Sequence, residues 1–265
     1  MNIPIYTAED IEGLRTAGRL AASVLEMIEP HVEPGISTGE LDRICQDYIE
    51  RELGCTSATI GYHGYQHATC ISLNHVVCHG IPDFDRKLKK GDIFNIDVTL
   101  IRDGYYGDTS RMFVVGNNIK GERLSRITQQ CLYEAMKVMG PGVWLSEVGR
   151  TIQQHAESNG YSVVRDFCGH GIGTQFHHDP QVLHYDGYDR NNDARLEPGM
   201  CLTIEPMINA GKWQTRVLRD GWTAVTRDKS LSAQWEHMMV ITDSGIEVMT
   251  QRHDEDLSFL AATAD

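Results

Sequence analysis

The sequence predicts an α+β fold made of two related halves, and two observations support this prediction. Apolar residues recur at helical spacing early in each half, whereas segments rich in Val, Ile, Thr and Phe follow later. A pattern also returns: Pro34-Gly35-Ile36 recurs as Pro141-Gly142-Val143, 107 residues on, and residues 91–97 align with residues 199–205, 108 residues on. Helices followed by strands, twice, indicate antiparallel sheets covered by helices.

The first half is predicted to open with two helices, each of which starts at a capping box. Thr7 with Asp10 precedes a run of apolar positions at helical spacing over residues 11–28. Ser37 with Glu40 starts the second helix in the same way. These side chains accept hydrogen bonds from backbone N–H groups that have no partner inside the helix, so both helix starts are well specified.

The second half repeats the pair of helices, around residues 124–135 and 148–156. Four later segments are rich in β-branched and aromatic residues and predict strands. They are residues 93–101, 105–115, 200–208 and 236–242. We expect all these elements to form one domain, residues 1–265, whose internal halves cover about 7–116 and 117–250.

Composition excludes several classes of protein. The chain has 265 residues, of which 41% are hydrophobic and 23% charged, as in ordinary globular proteins. A formal charge of −13 argues against broad binding to nucleic acid or to anionic membranes, and no sequence-specific nucleic-acid partner is expected. Seven scattered cysteines without a C-x-x-C pair, and the lack of a long apolar run or signal peptide, predict a reduced, cytoplasmic protein without membrane contact.

A β-hairpin is predicted between Asp97 and Asp108. If its turn is centred between Arg102 and Asp103, facing residues have numbers that sum to 205, and the two aspartates are directly opposite. Two like charges about 5 Å apart repel by roughly 3 kcal/mol at an effective dielectric of 20, which favours a cation between them. Two exposed aspartates on a solvated edge are the alternative, and a bulge would change the register.

The second half offers a matching pair of carboxylates. Glu205 aligns with Asp97 in the repeat, and Glu236 heads another apolar segment. Four carboxylates in one cleft need cations to be buried, and two divalent ions would neutralise them. Two matching His-Gly-Ile loops, at His79 and His170, offer imidazole ligands, and such a set favours Mn, Fe or Co.

Seven stretches of the chain resemble the type I, bacterial form of the methionine aminopeptidases, a metallopeptidase family. The resemblance implies the pita-bread fold, an α+β domain with two pseudo-symmetric halves. It also implies removal of the initiator methionine from new chains when the second residue is small. The stretches are Gly61-Tyr62-His63-Gly64-Tyr65, Val77-Cys78-His79-Gly80-Ile81-Pro82, Asn95-Ile96-Asp97-Val98-Thr99, Gly107-Asp108-Thr109-Ser110, Gly169-His170-Gly171-Ile172-Gly173, Thr203-Ile204-Glu205-Pro206-Met207 and Ser232-Ala233-Gln234-Trp235-Glu236-His237.

The resemblance implies two divalent metal ions, for which cobalt, manganese, iron and zinc are candidates. It makes Asp97 a ligand of one ion and His170 a ligand of the other. Asp108 and Glu236 would bridge both ions, and Glu205 would complete the shell of the ion that His170 binds. These five residues are therefore the expected metal centre.

The resemblance also implies catalytic and substrate-binding residues. His79 and His177 would contact the substrate, and Glu205 would take a proton from the attacking water. Thr59 stands where some relatives have cysteine, and the segment 186–194 is longer than usual. The methionine side-chain pocket is expected to contain Tyr62, Tyr65, Cys70, Phe176 and Trp222.

Further partners follow from the same resemblance. The N-terminal methionine of a nascent peptide is the expected substrate. The protein is expected to be a monomer. A structural monovalent cation is implied at the carbonyls of Asn74, Val76 and Ser232. A transient ribosome contact would need a local basic surface, for which a solvated turn is the alternative reading. The candidate residues are Arg86, Lys87, Lys89 and Lys90.

Two other functions stay open at this point. A prolidase or aminopeptidase P, which cleaves Xaa-Pro bonds, resembles this chain in its five ligands, but such enzymes usually carry an additional N-terminal domain. Here the first helix pair begins close to Met1. A non-catalytic binding protein with the pita-bread fold is the second alternative, although such proteins lose metal ligands and all five are present here.

Overall fold

The computed structural model describes residues 1–189 and 192–263. Within these ranges the chain forms four α-helices. A π-helical turn, Tyr48–Glu52, continues the second one, and short 3-10 turns lie at Glu29–His31, Tyr62–Gly64 and Ser258–Thr263. The helices are α1 (Ala8–Ile28), α2 (Thr38–Asp47), α3 (Ile119–Val138) and α4 (Leu145–Ser158).

The strands are short, apart from one long hairpin. They are β1 (Thr56–Ser57), β2 (Thr69–Leu73), β3 (Val76–Cys78), β4 (Ile93–Arg102), β5 (Tyr105–Val114), β6 (Ser162–Val163), β7 (Gly169–Gly171), β8 (His178–Val182), β9 (Cys201–Ile204), β10 (Met207–Asn209), β11 (Thr215–Val217), β12 (Ala224–Thr226), β13 (Ser232–Gln234), β14 (His237–Ile241) and β15 (Ile246–Val248).

These strands form antiparallel sheets. In the first sheet β4 lies between β1 and β2 and also pairs with β5. The largest sheet of the second half has the order β15-β14-β9-β7-β8. Two three-stranded sheets, β13-β10-β6 and β11-β12-β3, complete the strand pairs of the described residues.

Each pair of helices covers its own sheet. On the first sheet, Leu25 of α1 and Leu41 of α2 belong to the same fully buried cluster as Phe94 of β4. In the second half, Ile152 of α4 shares a fully buried cluster with Leu202 of β9. Burial of such side chains is the main stabilising contribution, at about 1.5–3 kcal/mol for each large apolar residue.

Both predicted helix starts are confirmed. The Thr7 hydroxyl accepts from the amide of Asp10 at 3.3 Å, and the Asp10 carboxylate accepts from the amide of Thr7 at 2.9 Å. Ser37 and Glu40 make the same reciprocal pair, at 3.1 and 2.9 Å. The signal is local in sequence, which is why it could be read without tertiary structure.

The hairpin of β4 and β5 exists, but its predicted register is wrong. Asp103 and Gly104 form the two-residue turn, with φ of 51° and 87°, because a tight hairpin turn prefers positive φ at both central positions and Asp-Gly supplies it. Facing numbers therefore sum to 207. Asp97 lies opposite Ser110, so that Asp97 and Asp108 are diagonal neighbours on one face rather than directly opposed.

The strand predicted over residues 200–208 is also wrong, because the structure divides it between two sheets. β9 pairs with β14 and β7, whereas β10 pairs with β13 and β6. Glu205 and Pro206 lie at the break. The Glu205 amide donates to His184 Nε2 at 3.1 Å instead of to a neighbouring strand, and Pro206 has no N–H to donate.

The extents of the two halves, about 7–116 and 117–250, stay a prediction, as does the single domain. Residues 190 and 191 of the predicted long segment 186–194 lie outside the described residues. No described helix combines the length and the hydropathy that crossing a membrane requires.

Candidate metal centre

A cavity of about 540 Å³ opens between the two halves of the chain. It brings together residues that are up to 177 positions apart, since Thr59 and Glu236 both line it. Every residue singled out in the sequence as a metal ligand, catalytic group or pocket residue contributes to its wall. These are Tyr62, Tyr65, Cys70, His79, Asp97, Asp108, His170, Phe176, His177, Glu205, Trp222 and Glu236.

The hairpin and the start of β14 place three of the carboxylates. Asp97 in β4 and Asp108 in β5 share one face of the hairpin, and the Thr99 hydroxyl donates to Asp108 Oδ1 at 2.8 Å. Glu236 precedes β14, and its amide donates to the carbonyl of Ser110 at 3.1 Å. This backbone bond attaches the second half to the hairpin, directly beside the two aspartates.

Glu205 is held at the break between β9 and β10. Thr203 donates to its Oε1 at 3.0 Å and Gln234 donates to its Oε2 at 3.1 Å. His184, which is fully buried, accepts from the Glu205 amide. Because an amide can only donate, His184 Nε2 carries no proton, so His184 is neutral with its proton on Nδ1.

His170 in β7 faces the carboxylates through one ring nitrogen. Its Nε2 lies 3.5 Å from Asp108 Oδ2 and 3.7 Å from Glu205 Oε1. Its Nδ1 lies 3.1 Å from the carbonyl of Gly171, which can only accept, so Nδ1 carries the proton and Nε2 is free to bind a metal. Burial lowers the pKa of His170 to about 4, which keeps the ring neutral.

The four carboxylates lack a counter-charge. Burial, followed by mutual repulsion, raises the pKa values of Asp97, Glu205 and Glu236 well above the usual range, and burial raises the pKa of Asp108 to about 7. Among the described residues no lysine or arginine lines the cavity. Buried carboxylates in this arrangement are costly unless they are protonated or bind cations.

Divalent cations fit these residues. Ligand atoms of Asp108, His170 and Glu236 all lie within 4.8 Å of one another. The Oε2 atom of Glu236 is buried and has no hydrogen-bond partner among the described residues. Oxygen ligands with one imidazole are a donor set that suits manganese, iron, cobalt and zinc. The unpartnered oxygen and the missing counter-charge are both accounted for by a bound cation.

Aromatic rings form the wall beside the carboxylates. The Tyr62 hydroxyl lies 2.9 Å from His177 Nδ1, and its ring centroid lies 4.8 Å from that of Phe176. Tyr65 and Trp222 are 4.9 Å apart at their centroids. Centroid distances of this size are typical of stabilising aromatic pairs, so the pocket is a packed aromatic surface.

His79 and His177, neither of which is a predicted metal ligand, line the same cavity. The His177 ring centroid is 4.1 Å from that of His170, and burial lowers the pKa of His177 to about 3. His79 lies 6.1 Å from Trp222 between ring centroids, and burial lowers its pKa as well. Both rings are therefore neutral at physiological pH and can each donate one hydrogen bond and accept another.

Several residues that hold Glu205 or line the cavity were not predicted from the sequence. Thr203 and Gln234 lie two residues before Glu205 and Glu236, and the period-2 alternation of strands could have pointed to Thr203 as a neighbour of Glu205. His184 lies in no motif, so no signal identified it. Thr59 lines the cavity and donates to the carbonyl of His67 at 2.7 Å. Further unpredicted wall residues are Cys78, Thr99, Asp166, Phe167, Cys168, His178, Asp179, Gln181 and Met207.

The residues of the implied monovalent-cation site are close together. The carbonyl of Asn74 accepts a hydrogen bond from the amide of Ser232 at 2.8 Å, and Val76 begins β3 nearby in the chain. Asn74 has a φ of 55°, in the left-handed region that asparagine tolerates better than most residues. Whether a cation binds these carbonyls stays a prediction.

Comparison with known proteins identifies the family. The family Peptidase_M24, described as metallopeptidase family M24, matches residues 12–243. The methionine aminopeptidase of Escherichia coli strain K12 is 60% identical over 256 residues, which cover 96% of each chain. The methionine aminopeptidase of Haemophilus influenzae is 52% identical over 257 residues, 96% of this chain and 95% of that protein.

Solved structures agree with this result. The crystal structure of methionine aminopeptidase from Rickettsia prowazekii has a TM-score of 0.91 at 47% identity, and the match covers 94% of this chain and all of that chain. The prolidase from Pyrococcus furiosus has a TM-score of 0.75 at 21% identity, over 94% of this chain and 66% of that one. The second likeness shows a shared fold and nothing about activity.

The fold, the cavity and these matches define a metal-dependent hydrolase. The predicted α+β pita-bread fold is confirmed. The chain belongs to metallopeptidase family M24 and, by its identity over nearly the whole length, to the methionine aminopeptidases within it. The recognition made from the seven sequence stretches is thereby confirmed.

Proposed function

We propose that this protein removes the N-terminal methionine from nascent chains and peptides whose second residue is small. One observation carries the proposal. Four carboxylates, two buried and two partly buried, share a cavity with an imidazole that has a free Nε2 and with a wall of aromatic rings. The carboxylates and the imidazole suit divalent cations and peptide hydrolysis, and the aromatic wall suits an apolar side chain.

The proposed ligands are the five residues inferred from the resemblance. They would hold two divalent cations, with cobalt, manganese, iron or zinc as candidates. When bound, such cations polarise a carbonyl and lower the pKa of water towards neutrality. The unpaired Oε2 of Glu236 and the raised carboxyl pKa values support this assignment. The ligands are Asp97, Asp108, His170, Glu205 and Glu236.

Glu205 is the proposed proton acceptor. As water attacks the carbonyl carbon of the first peptide bond, its proton passes to the Glu205 carboxylate, and the broken C–N bond leaves an amine that must gain a proton. Thr203 and Gln234 each donate to one oxygen of Glu205, so the carboxylate is fixed in orientation. This rigidity supports a role in which the distance to the attacking water matters.

His177 is the proposed donor to the developing oxyanion. If Tyr62 donates its hydroxyl proton to Nδ1, the proton of the neutral ring stays on Nε2, and Nε2 can donate to the substrate carbonyl oxygen. His79 is the proposed partner of the scissile amide nitrogen, which it would orient or protonate. Both assignments are supported by the position of the two rings on the cavity wall.

The aromatic wall is the proposed methionine pocket. Thioether sulfur packs well against aromatic edges, and an unbranched side chain can enter a narrow space between rings. Cys70, with 7% of its surface exposed, adds a small apolar surface. We therefore expect β-branched first residues to be rejected. The remaining pocket residues are Tyr62, Tyr65, Phe176 and Trp222.

Location and partners extend the proposal. We propose action in the cytoplasm on chains that leave the ribosome, as a monomer, without membrane contact. The basic residues considered for a transient ribosome contact are all exposed on the segment before β4, which is compatible with that contact and equally with a solvated turn. They are Arg86, Lys87, Lys89 and Lys90.

Peptide hydrolysis after chelation tests the proposal. The chelated protein should be inactive, and manganese, cobalt or iron added back should restore cleavage of Met-Ala-Ser, at least about 10-fold faster than Leu-Ala-Ser. An Xaa-Pro peptide serves as the prolidase substrate. The variant His253→Ala, at an exposed histidine that pairs with Glu26, is the matched control and should retain full activity.

Two results would contradict the proposal. Preferred cleavage of the Xaa-Pro peptide would make the protein a prolidase with the same fold. A protein that binds no divalent ion and cleaves none of the peptides would be a non-catalytic binding protein.

A further inference from the structure

A second group of buried charges is connected to the candidate metal centre through Thr109. The Arg252 side chain is 0% exposed and the Glu255 side chain 3%, and their ion pair is 2.7 Å long. Both residues belong to the segment after β15, towards the end of the chain. None of the sequence motifs includes them, and the proposed chemistry does not use them.

Thr109 connects this group to the centre. Arg252 Nη1 donates to the Thr109 hydroxyl at 3.0 Å, and the hydroxyl donates its single proton to the backbone carbonyl of Glu236 at 2.9 Å. Thr109 directly follows Asp108 in β5. One fully buried hydroxyl therefore joins the backbone positions of two proposed ligands that come from different halves of the chain.

Glu255 holds Arg252 in place from the other side. Its Oε1 accepts from Arg252 Nη2 and from the Tyr133 hydroxyl at 3.0 Å, and it lies 3.1 Å from His237 Nε2, which is also 3.3 Å from Arg252 Nη2. Its Oε2 accepts from the Arg252 amide at 3.0 Å. His237 is the next residue after Glu236, so the same carboxylate makes a second connection to that ligand's backbone.

We propose that Thr109 and the Arg252–Glu255 pair are positioning residues that fix Asp108 and Glu236 relative to each other and thereby set the metal affinity of the centre. The inference rests on the proposed metal centre. Partners that hold metal ligands in place typically change metal affinity about 10–100-fold when they are removed. A purely structural pair would change the stability of the protein and leave its affinity for metal unchanged.

Substitution of the Thr109 hydroxyl is the direct test. Thr109→Val keeps the shape and removes the hydroxyl, whereas Thr109→Ser keeps the hydroxyl. The manganese dissociation constant of the chelated, folded protein is measured by calorimetry. We expect Thr109→Val to weaken binding at least about 10-fold and Thr109→Ser to remain within about 3-fold of the original chain.

Thr128→Val is the matched control. Thr128 is also fully buried and donates to a backbone carbonyl, that of Leu124 in its own helix, at 2.9 Å. Its removal should lower stability without weakening manganese binding. If Thr109→Val does not fold, Arg252→Lys replaces it, because a single ammonium cannot reproduce the bonds of the guanidinium to both Thr109 and Glu255.

The outcomes separate the two proposals. Manganese binding that is unchanged in Thr109→Val, or in Arg252→Lys, overturns the positioning role and leaves the proposed function intact. Failure of the original chain to bind manganese, cobalt, iron or zinc overturns both. Weaker binding in Thr109→Val that Thr109→Ser restores supports the inference.

Discussion

Two groups of charged side chains, connected through Thr109, differ in one respect. Around Glu255 every charge has a partner, and although burial alone would raise its pKa, contacts with His237 and Arg252 hold that pKa well below the usual range. In the metal centre four carboxylates face one another, and their pKa values are raised. The same fold supplies a counter-charge in one place and none in the other, which indicates that the second place is built for a cation that comes from outside.

The loss of a shared ligand should have the largest effect. Asp108→Asn removes a carboxylate from the proposed pair of cations, whose chemistry is worth several kcal/mol, and about 4 kcal/mol corresponds to roughly 1000-fold in rate. We expect a fall of that size in kcat/KM for Met-Ala-Ser, together with a lower metal content measured by elemental analysis.

His177→Ala is the control for this loss. The residue lies beside the centre but is not a proposed ligand, so metal content should be kept while the rate falls about 100-fold. An Asp108→Asn variant that retains both ions and full activity would show that Asp108 is not a ligand.

Neutralisation of Glu255, the carboxylate that pairs with Arg252, should have the next largest effect. Glu255→Gln leaves the buried Arg252 guanidinium without its counter-charge, which typically costs about 3 kcal/mol of unfolding free energy. Urea unfolding of the metal-free protein measures the loss. Asp103→Asn, at an 81% exposed carboxylate, should stay within about 0.5 kcal/mol.

Glu236→Gln tests a carboxylate of the candidate metal centre, where the opposite change in stability is expected. It removes one of four repelling carboxylates, so the metal-free protein should gain stability, by about 1 kcal/mol, while its affinity for manganese falls. If Glu236→Gln destabilises the metal-free protein as much as Glu255→Gln does, the two groups do not differ in whether their carboxylates have a counter-charge.

The last prediction concerns pH dependence, where each step of one pH unit should change stability by only a small amount. Because the pKa of Asp108 is raised to about 7, the metal-free native state keeps a proton that the unfolded chain releases near pH 4. This contribution to stability is complete below about pH 4 and is lost as the pH rises to about 7. Its slope is at most about 1.4 kcal/mol per pH unit.

Thermal unfolding in chelator at pH 5, 6 and 7 measures this slope, which should be shallower in Asp108→Asn. Glu255 acts in the opposite direction, because its pKa is lowered on folding and its contribution is lost only as the pH falls below about 4. Identical slopes in the original chain and in Asp108→Asn would refute the raised pKa of Asp108.

Local signals explain what the sequence predicted well. The capping boxes at Thr7 and Ser37 involve residues three positions apart, and the strands that carry Asp97 and Asp108 follow from their β-branched residues. The hairpin register was missed because it depends on which two residues adopt positive φ. The Asp103-Gly104 pair marks that choice in the sequence, and the predicted turn was centred one residue too early.

Long-range contacts explain what the sequence did not predict. The break at Glu205 depends on a hydrogen bond to His184, 21 positions away. Thr109 and Arg252 are 143 positions apart, and neither has a motif that marks it. Such contacts are set by how the two halves pack, and no periodicity of the chain records them.

The turn at Asp103 and Gly104 limits which insertions and deletions this chain can accept. Most surface loops accept inserted or deleted residues, because their ends stay close whatever their length. One residue more or fewer in this turn would slide β5 past β4 by a single step and point Asp108 to the far side of the sheet. We expect substitutions here to be tolerated far more often than changes in length.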